Sequence, residues 1–125
     1  MKYLLDSNII IMIVLGHGEA LQRRIHRCEE GDMATSAVAY GEVAHGAVRG
    51  KPPGLEKLQA FVEEVPVLDF DYNAARAYAT LPFKRASFDR LIAAHALSHG
   101  LTLVTDNEAD FVDVPGLKVE NWTRP

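Results

Sequence analysis

The chain has 125 residues, 48% of them hydrophobic and 24% charged, which suits one folded domain with a sizeable core and excludes a disordered protein. Its net charge of −4 excludes a protein that holds nucleic acid through bulk positive charge alone. A single cysteine, Cys28, excludes an internal disulfide, and no apolar run is long enough to span a membrane. Because no targeting signal is visible, we expect a cytoplasmic protein with a single domain over residues 1–125.

The first half of the chain alternates strands and helices. The apolar run from Lys2 to Asp6 predicts a buried strand, and residues 8–15 predict a buried helix with Ser7 and Asn8 as candidate caps. The pattern then predicts helices at residues 19–30, 36–48 and 55–64 and strands at residues 33–35 and 65–70. Pro66 suits an edge position for the last of these strands.

The second half continues the alternation. A helix over residues 71–81 is capped by Asp71, and a helix from the Ser87 cap ends at Gly100. The pattern then predicts a strand at residues 101–105, a short helical turn at residues 106–111 and a last strand at residues 117–122. Strands separated by helices predict an α/β fold with a small parallel sheet flanked by helices, in which ligands bind at the carboxyl ends of the strands.

Acidic residues stand where these elements begin or end. Asp6 closes the first strand, Glu42 lies in the helix opened by Ser36, Asp89 begins a helix, and Asp106 follows the strand at 101–105. Each acid by itself is equally well explained as a cap, a first-turn acid or a solvated position. Together they favour a site for a hard cation such as Mg²⁺ or Mn²⁺, which prefers oxygen ligands and supports phosphodiester cleavage.

Four short motifs carry a resemblance to a known family. They are the segments Leu4–Ile10, Tyr40–Val43 with Gly46, Phe88–Leu97, and Gly100–Asn107 followed by Phe111, Pro115–Leu117 and Glu120–Trp122. In order and spacing, over nearly the whole chain, they resemble the PIN-domain family and, within it, the VapC-type toxins of bacterial toxin–antitoxin pairs. The resemblance implies a Mg²⁺- or Mn²⁺-dependent endoribonuclease that hydrolyses RNA, with transfer RNA as the expected target class, by means of a metal-activated water.

The resemblance also implies roles for the acids. Asp6, Glu42 and Asp89 match the family's first three acids, with Asp6 and Asp89 as metal ligands and Glu42 as a ligand or base. Asn107 stands where the family usually has its fourth acid, so Asp106 or Asn107 would complete the catalytic set, and Asp110 is in the same turn. From their positions, the residues expected to hold the ligands in place are Ser7, Asn8 and Thr105.

Basic residues offer candidate RNA contacts. Lys84, Arg85 and Arg90 surround Asp89 and are expected to contact phosphates. Arg23, Arg24 and Arg27 form either a solvated helix face or a second phosphate-contacting ridge, and Trp122 is expected to cover the core.

Partners also follow from the resemblance. It implies a cognate antitoxin whose segment lies in a groove, a homodimer within a larger toxin–antitoxin complex, and no membrane. The apolar helices at residues 9–15 and 55–62 are candidate groove walls. Two other functions remain open: a non-catalytic PIN module that binds RNA or protein, and a Mg²⁺-dependent hydrolase of small phosphate esters.

Overall fold

A five-stranded sheet forms the centre of the protein, which we describe from a computed structural model covering all of residues 1–125. The strands are β1 (Tyr3–Leu5), β2 (Met33–Ser36), β3 (Val67–Leu68), β4 (Thr102–Val104) and β5 (Val119–Glu120). Their order in the sheet is β3-β2-β1-β4-β5, and every neighbouring pair is parallel. The α/β prediction is therefore confirmed.

Six helices surround this sheet. They are α1 (Ser7–Leu15), α2 (Glu19–His26), α3 (Ala37–Val48), α4 (Leu55–Glu64), α5 (Tyr72–Ala79) and α6 (Phe88–His99), followed by a 3-10 turn at Glu108–Phe111. Leu4, Leu5, Leu103 and Val104 are fully buried, because a parallel sheet with helices on both faces exposes neither side of its central strands. None of the helices combines the length and the apolar character needed to cross a membrane.

The strand order creates a crevice beside β1. The chain passes from β1 outward through β2 to β3, and then returns to the other side of β1 to form β4 and β5. Asp6 follows β1, and its N–H donates to the Val104 carbonyl at the end of β4, at 2.9 Å. The two strand ends are thus joined at the point where parallel α/β sheets bind their ligands.

Short-range capping signals were predicted correctly for three helices. The side chains of Ser36, Asp71 and Ser87 each accept a hydrogen bond from a backbone N–H in the first turn. The predicted caps of α1 are wrong: Asp6 is extended and accepts from the Ser7 N–H, so the helix begins at Ser7.

Several predicted elements are shorter in the structure. The helix predicted to reach Glu30 ends at His26, because the carboxylate of Asp32 accepts the Glu29 N–H at 2.9 Å and turns the chain towards β2. The edge strands β3 and β5 have two residues each, since an edge strand has only one neighbour to pair with. Pro66 directly precedes β3, which confirms its predicted place at an edge.

Candidate active site

Asp6 is held in a fixed orientation at the end of β1. Its side chain is buried, with only 6% of the residue exposed. Oδ1 accepts the Ser7 N–H and Oδ2 accepts the Thr105 hydroxyl, both at 2.8 Å. Burial raises the pKa of Asp6, while these two hydrogen bonds act in the opposite direction. The carboxylate is therefore oriented before any ligand binds.

Two further carboxylates from different helices face Asp6. Glu42 lies in α3, which begins at the Ser36 cap, and Asp89 lies in the first turn of α6. Burial raises the pKa of Glu42, and the negative charges of Asp6 and Asp89 raise it further. Burial, followed by the charges of Asp6 and Asp110, raises the pKa of Asp89 to about 6. The structure thus brings Asp6, Glu42 and Asp89 into one group of like charges, here called the acid site.

The acid site is chemically suited to a hard cation. Oε1 of Glu42 is buried and has no hydrogen-bond partner, although buried polar atoms in folded proteins are almost always paired. Three mutually repelling carboxylates with one unsatisfied oxygen form an all-oxygen donor set of the kind that Mg²⁺ binds. No three acidic, histidine or cysteine side chains are already arranged to hold a metal ion. The carboxylates would therefore have to draw together around the ion.

The turn after β4 supplies a further acid. Nδ2 of Asn107 donates to Asp110 at 2.6 Å, and its N–H donates to the Thr105 hydroxyl at 3.1 Å. The charge of Asp110 raises the pKa of both Asp89 and Asp6, whereas that of Asp106 raises the pKa of Asp6. Of the acids in this segment, Asp110 is therefore the one that acts on Asp89. The sequence shows three acids here, Asp106, Glu108 and Asp110, and does not distinguish among them.

The three residues expected to support the site differ in what they do. Thr105 is fully buried and bonds Asp6 directly. The backbone of Ser7 also bonds Asp6, and its side chain partly offsets the raised pKa of Glu42. Asn8 is exposed and makes no hydrogen bond to Asp6, because α1 begins one residue earlier than its sequence suggests.

The basic residues beside Asp89 fall into two groups. Arg90 is half-buried: its guanidinium stacks 3.2 Å from the centre of the Phe83 ring and lies 3.4 Å from Asp113. Lys84 and Arg85 are exposed and form no ion pair in the structure. Only Lys84 and Arg85 are thus free to meet a phosphate without breaking an existing contact.

Comparison with known proteins identifies a family and several relatives of similar sequence. The PIN-domain profile matches residues 3–117. A tRNA(fMet)-specific endonuclease VapC of Shigella flexneri is 33% identical over 98% of this chain and 99% of its own. The Ribonuclease VapC2 of Haemophilus influenzae (strain ATCC 51907 / DSM 11121 / KW20 / Rd) is 28% identical, with 98% of each chain covered.

Two solved VapBC structures have a fold similar to that of this chain. The structure of VapBC2 from Rickettsia felis bound to a promoter DNA fragment aligns with a TM-score of 0.85 and 26% identity, covering 98% of this chain and 99% of that one. DNA-bound VapBC from Salmonella typhimurium aligns with a TM-score of 0.81 and 27% identity, covering 98% of both chains. The chain therefore belongs to the PIN-domain family and, within it, to the VapC proteins.

Proposed function

We propose that this protein is a divalent-metal-dependent endoribonuclease and the toxin of a toxin–antitoxin pair. The observation that carries the proposal is the acid site, where burial and neighbouring negative charges raise the pKa of Glu42 and of Asp89, and where Glu42 keeps an unsatisfied buried oxygen. A cation relieves the repulsion within such a group, and it also promotes phosphodiester hydrolysis by acidifying a water molecule and stabilising charge on the phosphate. The names of the relatives, ribonuclease and tRNA(fMet)-specific endonuclease, support RNA as the substrate and transfer RNA as its class.

Asp6 and Asp89 would hold the cation, Mg²⁺ or Mn²⁺. When bound, it would supply positive charge to the scissile phosphate and acidify a water molecule. Thr105 and Ser7 fix the direction of the Asp6 oxygens, so this ligand needs little reorganisation. Of the three candidates for the fourth position, Asp106, Asn107 and Asp110, we favour Asp110, because its charge raises the pKa of Asp89.

Glu42 is the group that would take the proton of the attacking water. Its raised pKa brings it closer to the working pH, which favours a general base, and its free Oε1 leaves room for that proton. Attack by water, with the 3′-oxygen as the leaving group, gives a 5′-phosphate and a 3′-hydroxyl. Lys84 and Arg85, exposed just before α6, would contact the neighbouring phosphates.

An antitoxin is the expected partner, because the similar structures from Rickettsia felis and Salmonella typhimurium are VapBC complexes. Apolar surface is available for such a partner. Phe88 is 58% exposed and lines one groove together with Glu42 of the acid site. Elsewhere, residues 11–15 of α1 are only half-buried and Leu55 of α4 is 49% exposed. We propose that an antitoxin segment covers apolar surface of this kind and blocks the acids, and that the toxin forms a dimer within the complex.

Cleavage of cellular RNA by the purified protein tests the proposal. The reaction is run with Mg²⁺, with Mn²⁺ and with EDTA, beside Asp6→Asn and the charge-matched control Glu63→Gln on the exposed face of α4. We expect discrete fragments bearing 5′-phosphates, formed only with metal, by the wild type and the control. Absence of cleavage in folded wild-type protein under every condition would overturn the proposal and favour a non-catalytic module.

A further inference from the structure

A second group of charges lies outside the acid site. Four of the thirteen basic residues of the chain line one cleft of about 250 Å³ between α2 and the segment after β5. They are Arg23, Arg24, Arg27 and Arg124, and this cleft is here called the arginine cleft. In a protein with a net charge of −4, such a concentration of positive charge is a local feature that bulk composition does not explain.

Arg24 is locked at the floor of the arginine cleft. Its guanidinium lies 4.6 Å from the centre of the Trp122 ring and 5.5 Å from that of Tyr3. It also donates to the Tyr3 hydroxyl at 3.2 Å and to Glu120 at 3.5 Å. The expectation of a solvated position is therefore wrong for Arg24, because Tyr3 of β1, Glu120 of β5 and Trp122 after β5 fix it in place.

The other three arginines keep their charge available at the rim. Arg23 pairs with Glu19 at 2.9 Å and Arg124 pairs with Glu108 at 3.0 Å, yet their side chains remain 57% and 73% exposed. Arg27 is exposed and makes no ion pair. The glutamates that pair with Arg23, Arg24 and Arg124 do not themselves line the cleft. An anion entering it would therefore meet the unpaired Arg27 and the exposed guanidinium groups of Arg23 and Arg124 first.

A single short element separates the arginine cleft from the acid site. Arg124 and Asn121 both contact the carboxylate of Glu108, the first residue of the 3-10 turn. Asp110, two residues further along the same turn, faces Asp89. A polynucleotide lying in the acid site would therefore reach the cleft by crossing this one turn.

We infer that the arginine cleft binds phosphates of the RNA strand a few nucleotides away from the cleaved bond, an inference that rests on the proposed ribonuclease function. Guanidinium groups match phosphate with two parallel hydrogen bonds, and their planes stack on unpaired bases. The fixed Arg24 and the exposed charges at the rim suit a single strand, whose path across the turn is not set by base pairing.

The test compares two double variants that remove the same charge. Arg23→Ala with Arg27→Ala alters the rim and leaves the packed Arg24 intact, whereas Lys57→Ala with Arg76→Ala removes two exposed cations elsewhere. Binding of a fluorescently labelled single-stranded RNA is measured in EDTA, which prevents cleavage, over a range of salt concentrations. We expect the rim variant to bind about tenfold more weakly, with a salt slope lower by about 1.4, and the control to bind like the wild type.

Steady-state cleavage separates this site from the catalytic one. For a long RNA, we expect the rim variant to raise KM and leave kcat unchanged, while an RNA of a few nucleotides that cannot cross the turn is cut as by the wild type. Equal binding by the rim variant and the control overturns the inference and leaves the proposed ribonuclease function unaffected. A loss that is equal for short and long RNA, or confined to duplex DNA or an acidic peptide, also overturns it. If the wild type cleaves nothing, the proposed function fails, and the binding measurement alone decides whether the arginine cleft binds RNA.

Discussion

The acid site and the arginine cleft both gather like charges, and they compensate them in different ways. In the cleft, Glu19, Glu120 and Glu108 lie behind Arg23, Arg24 and Arg124 as partners. In the acid site, the one counter-charge acting on Asp89 is Arg90, which is also bound to Asp113 and Phe83 and whose effect is smaller than those of burial and the neighbouring acids. The paired charges of the arginine cleft are thus balanced within the protein, and the charges of the acid site are not.

This difference separates the two regions energetically. Repulsion among buried carboxylates destabilises the folded protein until a cation enters, so the acid site lowers stability in the metal-free state. The arginine cleft needs no ligand to be stable, because most of its charges are already paired. Its contribution is the positive charge that it presents at the surface. Substitutions in the acid site should therefore change the stability of the protein, whereas substitutions in the arginine cleft should change substrate binding.

The largest effect is expected from Asp89→Asn. Loss of a metal ligand should lower cleavage by more than about a hundredfold. The same change should raise the free energy of unfolding in EDTA by about 1 kcal/mol, because it removes one repelling charge from a partly solvated site. Activity assays and urea unfolding measure the two effects, with Glu63→Gln as the charge-matched control. A variant that is both active and less stable than the wild type would contradict the electrostatic description of the site.

A smaller effect should distinguish Asp106 from Asp110. Asp110→Asn removes the acid that raises the pKa of Asp89 and should lower cleavage by about tenfold or more. The charge of Asp106 acts on Asp6, whose carboxylate is already held by two hydrogen bonds, so Asp106→Asn should have a weaker effect. Metal titration of both variants shows whether the change is in ion affinity. A larger loss in Asp106→Asn would assign the fourth position to Asp106.

The next effect concerns the exposed pair beside Asp89. Lys84→Ala with Arg85→Ala should weaken RNA binding about tenfold and lower the salt slope by about 1.4. Unlike the rim of the arginine cleft, this pair should affect short and long RNA alike, because it lies next to the scissile phosphate. Binding of both RNA lengths is compared with the Lys57→Ala, Arg76→Ala control. An unchanged salt slope would assign Lys84 and Arg85 to the solvated surface.

The sequence was sufficient for three helix caps, but not for every contact between near neighbours. Ser36, Asp71 and Ser87 cap helices through backbone groups two or three residues away, and all three were predicted. The end of α2 was missed because an acid at Asp32 captures the Glu29 N–H, a turn that helical periodicity does not reveal.

Contacts between distant segments were harder to predict. The acids that follow strands were placed together because parallel strands end at the same edge of a sheet. The distinction between Asp110 and Asp106 depends on how the 3-10 turn is placed against α6. The environment of Arg24 depends on Tyr3 and Trp122, which are far from it in the chain and meet it only after the sheet has formed.

The smallest expected effect is a pH dependence of metal-free stability. The pKa of Asp89 is about 6 in the folded protein and 3.8 as its ordinary value, so the folded state binds more protons between these limits. Its contribution to stability is therefore greatest below about pH 4 and is lost as the pH rises through 6, by about 1 kcal/mol after allowance for solvent screening. The buried His95, whose pKa is lowered, has the opposite dependence.

The difference between the wild type and Asp89→Asn removes the contribution of His95, which is present in both proteins, and reports on Asp89 together with its effect on Glu42. Urea unfolding in EDTA at pH 5 and pH 7 should show the advantage of Asp89→Asn growing with pH. Saturating Mg²⁺ should stabilise the wild type at pH 7 more than the variant, since the ion offsets the charge that the variant lacks. An advantage independent of pH would mean that Asp89 ionises normally, and the acid site would then resemble the balanced cleft.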